Sequence, residues 1–306
     1  MRIGVSQQIL TTGHDSPLRP RECEAIATPF KIENWSRVAC NRQIEAHRTT
    51  SGTRSQIVSR QEPMKEIFEQ QGFVKIPGFL SAAEVSNCLG ELDRYISEIV
   101  PSLPAEHVFY EQRGDRSSLK QLQRMHEYDA WFGGLFAGKP VDLARELLGS
   151  EVTGQNMQYF NKPPGVGRPT PPHQDGYYFK LDPPEALTMW LALDEADEEN
   201  GCVRYVRGSH LRGMRLHGLT GTLGFSQGMT DFGTEQDLAD EVTATASPGD
   251  LLAHHALTIH RASDNRTADR PRRALGFIYY SIEARQNLAA AEEYREQLSL
   301  QQSGKI

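Results

Sequence analysis

The hydrophobic pattern changes texture near residue 150. Before it, apolar residues recur mostly at helical spacing. Met64 to Gln71 reads as a short helix stopped by Gly72, and Phe73 to Gly78 as a strand running into a turn. Ser81 and Glu84 have the spacing of a capping box, in which each side chain satisfies an orphan backbone donor at a helix start. Val85, Leu89, Leu92, Ile96 and Ile99 or Val100 then give one apolar face, and Val141 to Leu148 is a second such helix, closed by Gly149. From Glu151 onward short alternating runs take over, at Val152–Phe160, Ala186–Leu193, Cys202–Val206, Glu241–Ala246, Leu251–Ile259 and Ala274–Ile282. Short strands divided by Gly, Pro and Asp turns, with no amphipathic helices between them, predict a sandwich or barrel of jelly-roll type. The fold class is therefore mainly β with flanking helices. The Gly/Ser/Thr-rich stretch from Leu219 to Thr234 reads as a long loop, either a lid or substrate loop or a plain surface excursion.

Residues 1 to 60 lack sustained period-2 or period-3.6 patterning and are expected to be disordered or loosely packed. Residues 1–63 hold nine Lys/Arg against six Asp/Glu, a balance of +3, which leaves −10 on the remainder of a chain whose net charge is −7. Two readings compete for the extension: an upstream start ahead of a true initiator at Met64, or a real arm. Its acidic residues disfavour a transit peptide. The expected organisation is one domain over 64–285 and a polar tail over 286–306, which could be a helix over the barrel mouth, a dimer contact or a frayed end. A chain of 306 residues can bury a full core. Dispersed carboxylates argue against nucleic acid or an anionic membrane as partner. Four cysteines without metal spacing, no apolar leader and no membrane-length apolar run make a reducing cytoplasm the expected location. Oligomeric state stays open.

The chemistry centres on Pro171-Pro172-His173-Gln174-Asp175-Gly176. In an extended strand, residues two apart leave the same face, so His173 and Asp175 would point into one interior. His260 lies 87 positions on, in the strand-like run Leu257 to Ser263. Two histidines and a carboxylate occupy one face of an octahedron, and the open face suits Fe(II) with a chelating co-substrate and O2. With ten histidines in the chain, a bare His-x-Asp is weak, and a surface turn is the bland alternative.

The surrounding landmarks strengthen it. Gly72-Phe73-Val74 with Pro77-Gly78-Phe79-Leu80, Asn161-Lys162-Pro163-Pro164-Gly165, Trp190, Asn200-Gly201-Cys202, Gly208-Ser209-His210, Gly249-Asp250, and Asn265 with Arg272-Arg273-Ala274 follow in one order around the three ligands. With them the chain resembles, over about Met64 to Ile282, the phytanoyl-CoA dioxygenase family of iron(II)- and 2-oxoglutarate-dependent oxygenases, built on a double-stranded β-helix of cupin-like type. The resemblance implies His173, Asp175 and His260 as metal ligands and 2-oxoglutarate as co-substrate, with succinate and carbon dioxide as products. An aspartate at 175, where halogenating relatives have a small residue, implies hydroxylation or a related oxidation.

It also implies an arginine for the distal carboxylate, held by parallel charge-assisted hydrogen bonds. Arg272 is the choice over Arg270 and Arg273, because in a strand it shares a face with Ala274 and Gly276 while Arg273 points the other way. Lys120 falls where relatives place a lysine reaching the co-substrate, with an exposed helical lysine as the alternative. Trp190 matches a pocket tryptophan or is plain core. Gln158, rather than Met157, aligns with a pocket residue and shares a face with Phe160. Tyr177, Tyr178, Phe160 and His255 are weaker candidates for substrate contacts. Gly201 to His210 is read as a structural hairpin and Cys202 as core. The expected partner is a small-molecule substrate, with no basic cluster that would commit the chain to a CoA nucleotide. Two rivals stand beside this reading, a zinc hydrolase on the same triad and a non-catalytic cupin-like binding protein.

Overall fold

Helix α1 (Met64–Gln71) buries Phe68 and ends at Gly72, whose φ of 84° is the left-handed conformation a side chain resists. A Cβ there would meet the His210 and Thr258 side chains at 2.4 and 2.6 Å, so glycine is also a matter of space. The computed structural model of this protein describes residues 63–112, 114–222 and 225–293. The expectations for residues 1–60, for Cys23 and Cys40 and for the end of the tail lie outside them. All described residues fall in one unit, Ser59–Ile306.

After β1 (Phe73–Ile76) comes α2 (Ala82–Arg94), opened by the predicted capping box: Ser81 accepts from the Glu84 N–H and Glu84 from the Ser81 N–H. Val85, Cys88 and Leu92 are its buried face. Strands β2 (Val108–Tyr110) and β3 (Leu119–Leu122) precede three helices, α3 (Met125–Tyr128), α4 (Ala130–Phe136) and α5 (Lys139–Leu148). The β2–β3 pair and α4 were not legible in the pattern, since β3 is buried at all four positions and α4 carries two glycines.

The β region follows as β4 (Val152–Lys162), β5 (Thr170–His173), the short α6 (Gly176–Phe179), β6 (Leu181–Asp182), β7 (Ala186–Ala192) and β8 (Val203–Val206). Then come β9 (His217–Thr222), β10 (Phe225–Met229), α7 (Glu235–Asp240), β11 (Glu241–Ala244), β12 (Leu251–His255), β13 (His260–Ala262), β14 (Arg272–Ser281) and β15 (Arg285–Gln286). One antiparallel sheet has the order β1-β12-β7-β14-β4-β3-β2, and a second has the order β11-β8-β13-β5.

Alternation assigns each residue of the large sheet to a layer. Leu187, Met189, Leu191, Leu275, Phe277 and Tyr279 pack outward with Phe68, Leu92, Phe132 and Leu147 of the helices. Trp190, Ala192, Leu252 and Ala274 face the other way and meet Val203 and Tyr205 of the small sheet. Burial on both faces explains why β7 is apolar almost throughout. The architecture is the predicted one, mainly β with flanking helices.

Four readings are corrected. The stretch from Leu219 to Thr234 is not a bare loop: β9 and β10 form a hairpin in it, and Thr234 with Asp237 makes a capping box for α7. The Leu251–Ile259 run is two elements, with a turn after His255. Gly201 to His210 is not a hairpin: it holds β8 and then a 3-10 turn at Ser209–Arg212. His210 donates to the Glu69 carbonyl at 2.9 Å, a structural tie. Asp175 is not on a strand; with φ and ψ of −58° and −34° it lies in the turn that leads into α6, as its N-cap. Among the described residues, no helix is long and apolar enough to cross a membrane.

Candidate active site

Strand register brings the two histidines together. His260 on β13 is the direct partner of His173 on β5, so two residues 87 apart in sequence lie side by side, with ring centroids 4.1 Å apart. Asp175 reaches the same point from the turn beyond β5. Its Oδ1 lies 3.4 Å from His173 Nε2 and 3.7 Å from His260 Nε2, and one ligand atom from each residue lies within 4.8 Å of the others.

Backbone carbonyls set the tautomers. A carbonyl only accepts, so His173 donates from Nδ1 to Pro171 O (2.8 Å) and His260 from Nδ1 to Thr258 O (3.0 Å). Each neutral ring is left with a lone pair on Nε2, aimed at Asp175 Oδ1. Burial, and then the neighbouring imidazoles, hold His260 well below the ordinary histidine range, which favours that neutral state. Burial opposes ionisation of Asp175, but its imidazole surroundings, with the His254 N–H donating to Oδ2, outweigh it and keep the carboxyl well below the usual range.

His254, which the sequence reading missed, sits behind the carboxylate. Its Nε2 donates to Asp175 Oδ2 at 3.2 Å, and Thr188 Oγ1 donates to the same oxygen at 2.6 Å. Tyr205 meets the other His254 nitrogen at 3.0 Å. Thr188 and His254 are direct partners across β7 and β12. Strand alternation was the available signal: in β12 the inward residues are Leu252 and His254. The proposed contact His255 therefore points outward, toward Glu185 at 3.7 Å and the Phe68 ring.

A cavity of about 510 Å³ opens from this cluster, and the seven residues that sequence put forward for metal and co-substrate line it: His173, Asp175, His260, Arg272, Lys120, Trp190 and Gln158. Phe160 and Tyr178 line it too. Tyr177 does not; its ring stacks on His217 with Lys180 over its face. Lys120 is neither helical nor exposed, because β3 carries it into the wall, where it pairs with buried Glu111 at 3.3 Å. Gln158 faces inward and accepts from Gln121 at 3.3 Å, while Met157 is fully buried on the helix side.

The three arginines separate cleanly. Arg270 is taken by Asp197 and Glu199, and Arg273 by Asp194. Arg272 is 5% exposed, lies 5.2 Å over the Trp190 ring and has no carboxylate at ion-pair distance among the described residues. Its Nε is buried without a hydrogen-bond partner. Burial brings its pKa down to about 10, still a cation at neutral pH. A buried guanidinium with an unsatisfied N–H fits an anionic ligand. The N/N/O donor set likewise fits a divalent metal, with iron(II) and zinc both at home in it.

Comparison with known proteins agrees with this geometry. The phytanoyl-CoA dioxygenase (PhyH) family matches residues 68–274. A phytanoyl-CoA dioxygenase of Arabidopsis thaliana is 26% identical over 233 residues, covering 65% of this chain and 82% of that protein. A probable alpha-ketoglutarate-dependent hypophosphite dioxygenase of Stutzerimonas stutzeri is 28% identical over 250 residues, covering 80% of this chain and 86% of its own length. The crystal structure of EvdO2 from Micromonospora carbonacea var. aurantiaca complexed with 2-oxoglutarate superposes with a TM-score of 0.58 at 26% identity, over 73% of this chain and 91% of that one. A fold of two antiparallel sheets, a buried His-Asp-His cluster and a family match across most of the described residues lead to one conclusion: the chain belongs to the phytanoyl-CoA dioxygenase family.

Proposed function

We infer that this protein is an iron(II)- and 2-oxoglutarate-dependent dioxygenase that oxidises a small molecule, with His173, Asp175 and His260 as the iron ligands and Arg272 as the anchor for the co-substrate. One observation carries the reading: the triad and a buried arginine without a carboxylate of its own line the same cavity. A zinc hydrolase on the same ligands would have no use for Arg272, and a binding protein would not need two histidines fixed in the ligand tautomer.

When bound, iron, 2-oxoglutarate and dioxygen supply the oxidising power, with succinate and carbon dioxide as co-products. The protein's part is placement. Oδ2 of Asp175 is occupied by Thr188 and His254, so the carboxylate offers one oxygen, Oδ1, to the metal. Arg272 supplies the parallel donors for a distal carboxylate and Trp190 walls its guanidinium. Lys120 and Gln158 are assigned to the co-substrate end of the cavity and Phe160 and Tyr178 to the substrate side. An aspartate in the triad supports hydroxylation or a related oxidation. Cys88 and Cys202 are buried free thiols, which supports a reducing, cytoplasmic setting.

The test is anaerobic titration of apo-protein with iron(II) and then 2-oxoglutarate, following the visible charge-transfer band of the chelate. The band should form in the wild type and weaken in Arg272→Ala. Iron binding without any band overturns the reading in favour of the hydrolase or binding-protein alternatives.

A further inference from the structure

Beyond Arg272, a second buried cation faces the same end of the cavity. Lys162 on β4 is the direct ladder partner of Arg272 on β14, so the two side chains enter the interior at one level of the sheet. Both line the cavity, and Lys162 is only 3% exposed. Its stem is held in place: a Cβ on Gly167 would fall 2.8 Å from Lys162 Cβ, and one on Gly201 would fall 2.9 Å from Lys162 Cδ. The amine donates to the Arg168 carbonyl and to Thr170 Oγ1 at 3.4 Å, which leaves a third N–H to direct elsewhere.

Charge balance says what that third donor meets. Three buried cations, Lys120, Lys162 and Arg272, line this part of the cavity with one buried carboxylate, Glu111, which Lys120 pairs with. Neither Lys162 nor Arg272 has a carboxylate at ion-pair distance among the described residues. Two uncompensated buried charges are costly until an anion arrives. Burial and then the neighbouring Arg272 push the Lys162 pKa well down, against a smaller pull from Glu111 and Asp264, so an arriving anion favours the charged amine.

We propose that Lys162 is a second cation for the distal carboxylate of 2-oxoglutarate, acting beside Arg272, so that a dianionic co-substrate neutralises a two-cation end of the cavity. This rests on the functional reading above. It assigns the selection of a dicarboxylate over a plain 2-oxo acid to a pair of side chains, where the planar fork of Arg272 sets direction and Lys162 adds a point charge. It also gives a ligand-directed reason for a lysine at this point of the Asn161-Lys162-Pro163 run, besides its ties to Arg168 and Thr170.

The experiment measures binding, not turnover. Iron(II)-loaded protein is titrated anaerobically, by calorimetry, with 2-oxoglutarate and with 2-oxobutyrate, which keeps the chelating end and lacks the distal carboxylate. Lys162→Met should weaken 2-oxoglutarate binding on the order of ten- to a hundredfold, as for loss of a charged hydrogen bond. Its affinity for 2-oxobutyrate should stay within about twofold of the wild type on the same scale. Unchanged 2-oxoglutarate affinity, or an equal loss for both ligands, overturns the proposal. If the Met variant does not fold, Lys162→Gln, which can still donate to the Arg168 carbonyl, is read by the same two titrations. Failure of the wild type to bind 2-oxoglutarate at all would instead sink the functional reading.

Discussion

Asp175 has two oxygens with two different tasks. Oδ2 is saturated by Thr188 and His254, and Oδ1 is left to face the histidine nitrogens. Groups behind a ligating carboxylate orient it and tune its basicity, and their loss typically weakens metal binding. His254→Ala should therefore lower iron(II) affinity on the order of ten- to a hundredfold in calorimetric titration, although His254 is not a proposed ligand. An unchanged affinity would show that the Thr188 hydroxyl alone fixes the carboxylate. Sequence exposed the candidate ligands because two histidines and an aspartate in a recognisable frame announce them. It hid His254 because a histidine beside another histidine in an apolar strand is assigned only once the inward parity is known. It also put Asp175 on a strand, since period-2 reasoning does not foresee a turn that re-aims a side chain to the same place.

The elements that carry these residues are fixed at their ends by glycines in the left-handed region. Gly249, with φ of 91°, leads into β12, and a Cβ there would sit 2.3 Å from the Leu80 carbonyl. Gly78 also has positive φ, 61°, but a Cβ there meets nothing within 4 Å. Gly249→Ala should cost roughly 2–5 kcal/mol, combining conformational strain with overpacking, and Gly78→Ala only about 1–2 kcal/mol. Urea denaturation separates the two, and equal losses would mean that the clash at Gly249 relaxes. Strands β4, β7 and β14 were legible to within two residues, β7 and β14 because most of their positions are buried and apolar, and β4, which is largely polar, because Gly149 and Pro163 bound it. The β9–β10 hairpin was not, because its polar and small residues carry no alternation strong enough to mark a strand. Its anchor, the Tyr178 hydroxyl on the Gln227 carbonyl at 2.5 Å, is a contact between residues 49 apart.

At the scale of the whole molecule, the ligands and the core report on the folded state separately. Burial raises the Cys88 and Cys202 thiols to about 11, so both stay protonated and shielded at pH 8. Peptide-level iodoacetamide labelling at that pH should leave these two unmodified in the native protein and modify both in denaturant. Labelling at native rates comparable to denatured ones would contradict their burial. Iron with 2-oxoglutarate should raise the melting temperature, and at free ligand a hundredfold above Kd the added stability is about 2.7 kcal/mol. EDTA should remove that gain in a thermal scan; an unshifted melting temperature would mean that no metal binds the native state.

Time enters through the topology. His173 and Asp175 leave the ribosome 87 and 85 residues before His260, about 4–17 s of synthesis at ordinary elongation rates. Strand β1, the first strand among the described residues, pairs in the large sheet with β12, made about 175 residues later. A nascent chain in that interval offers a metal two ligands and no walls. On the proposed ligand set iron would be loaded only after translation has passed His260, so that the cofactor would meet a finished barrel instead of helping to build one.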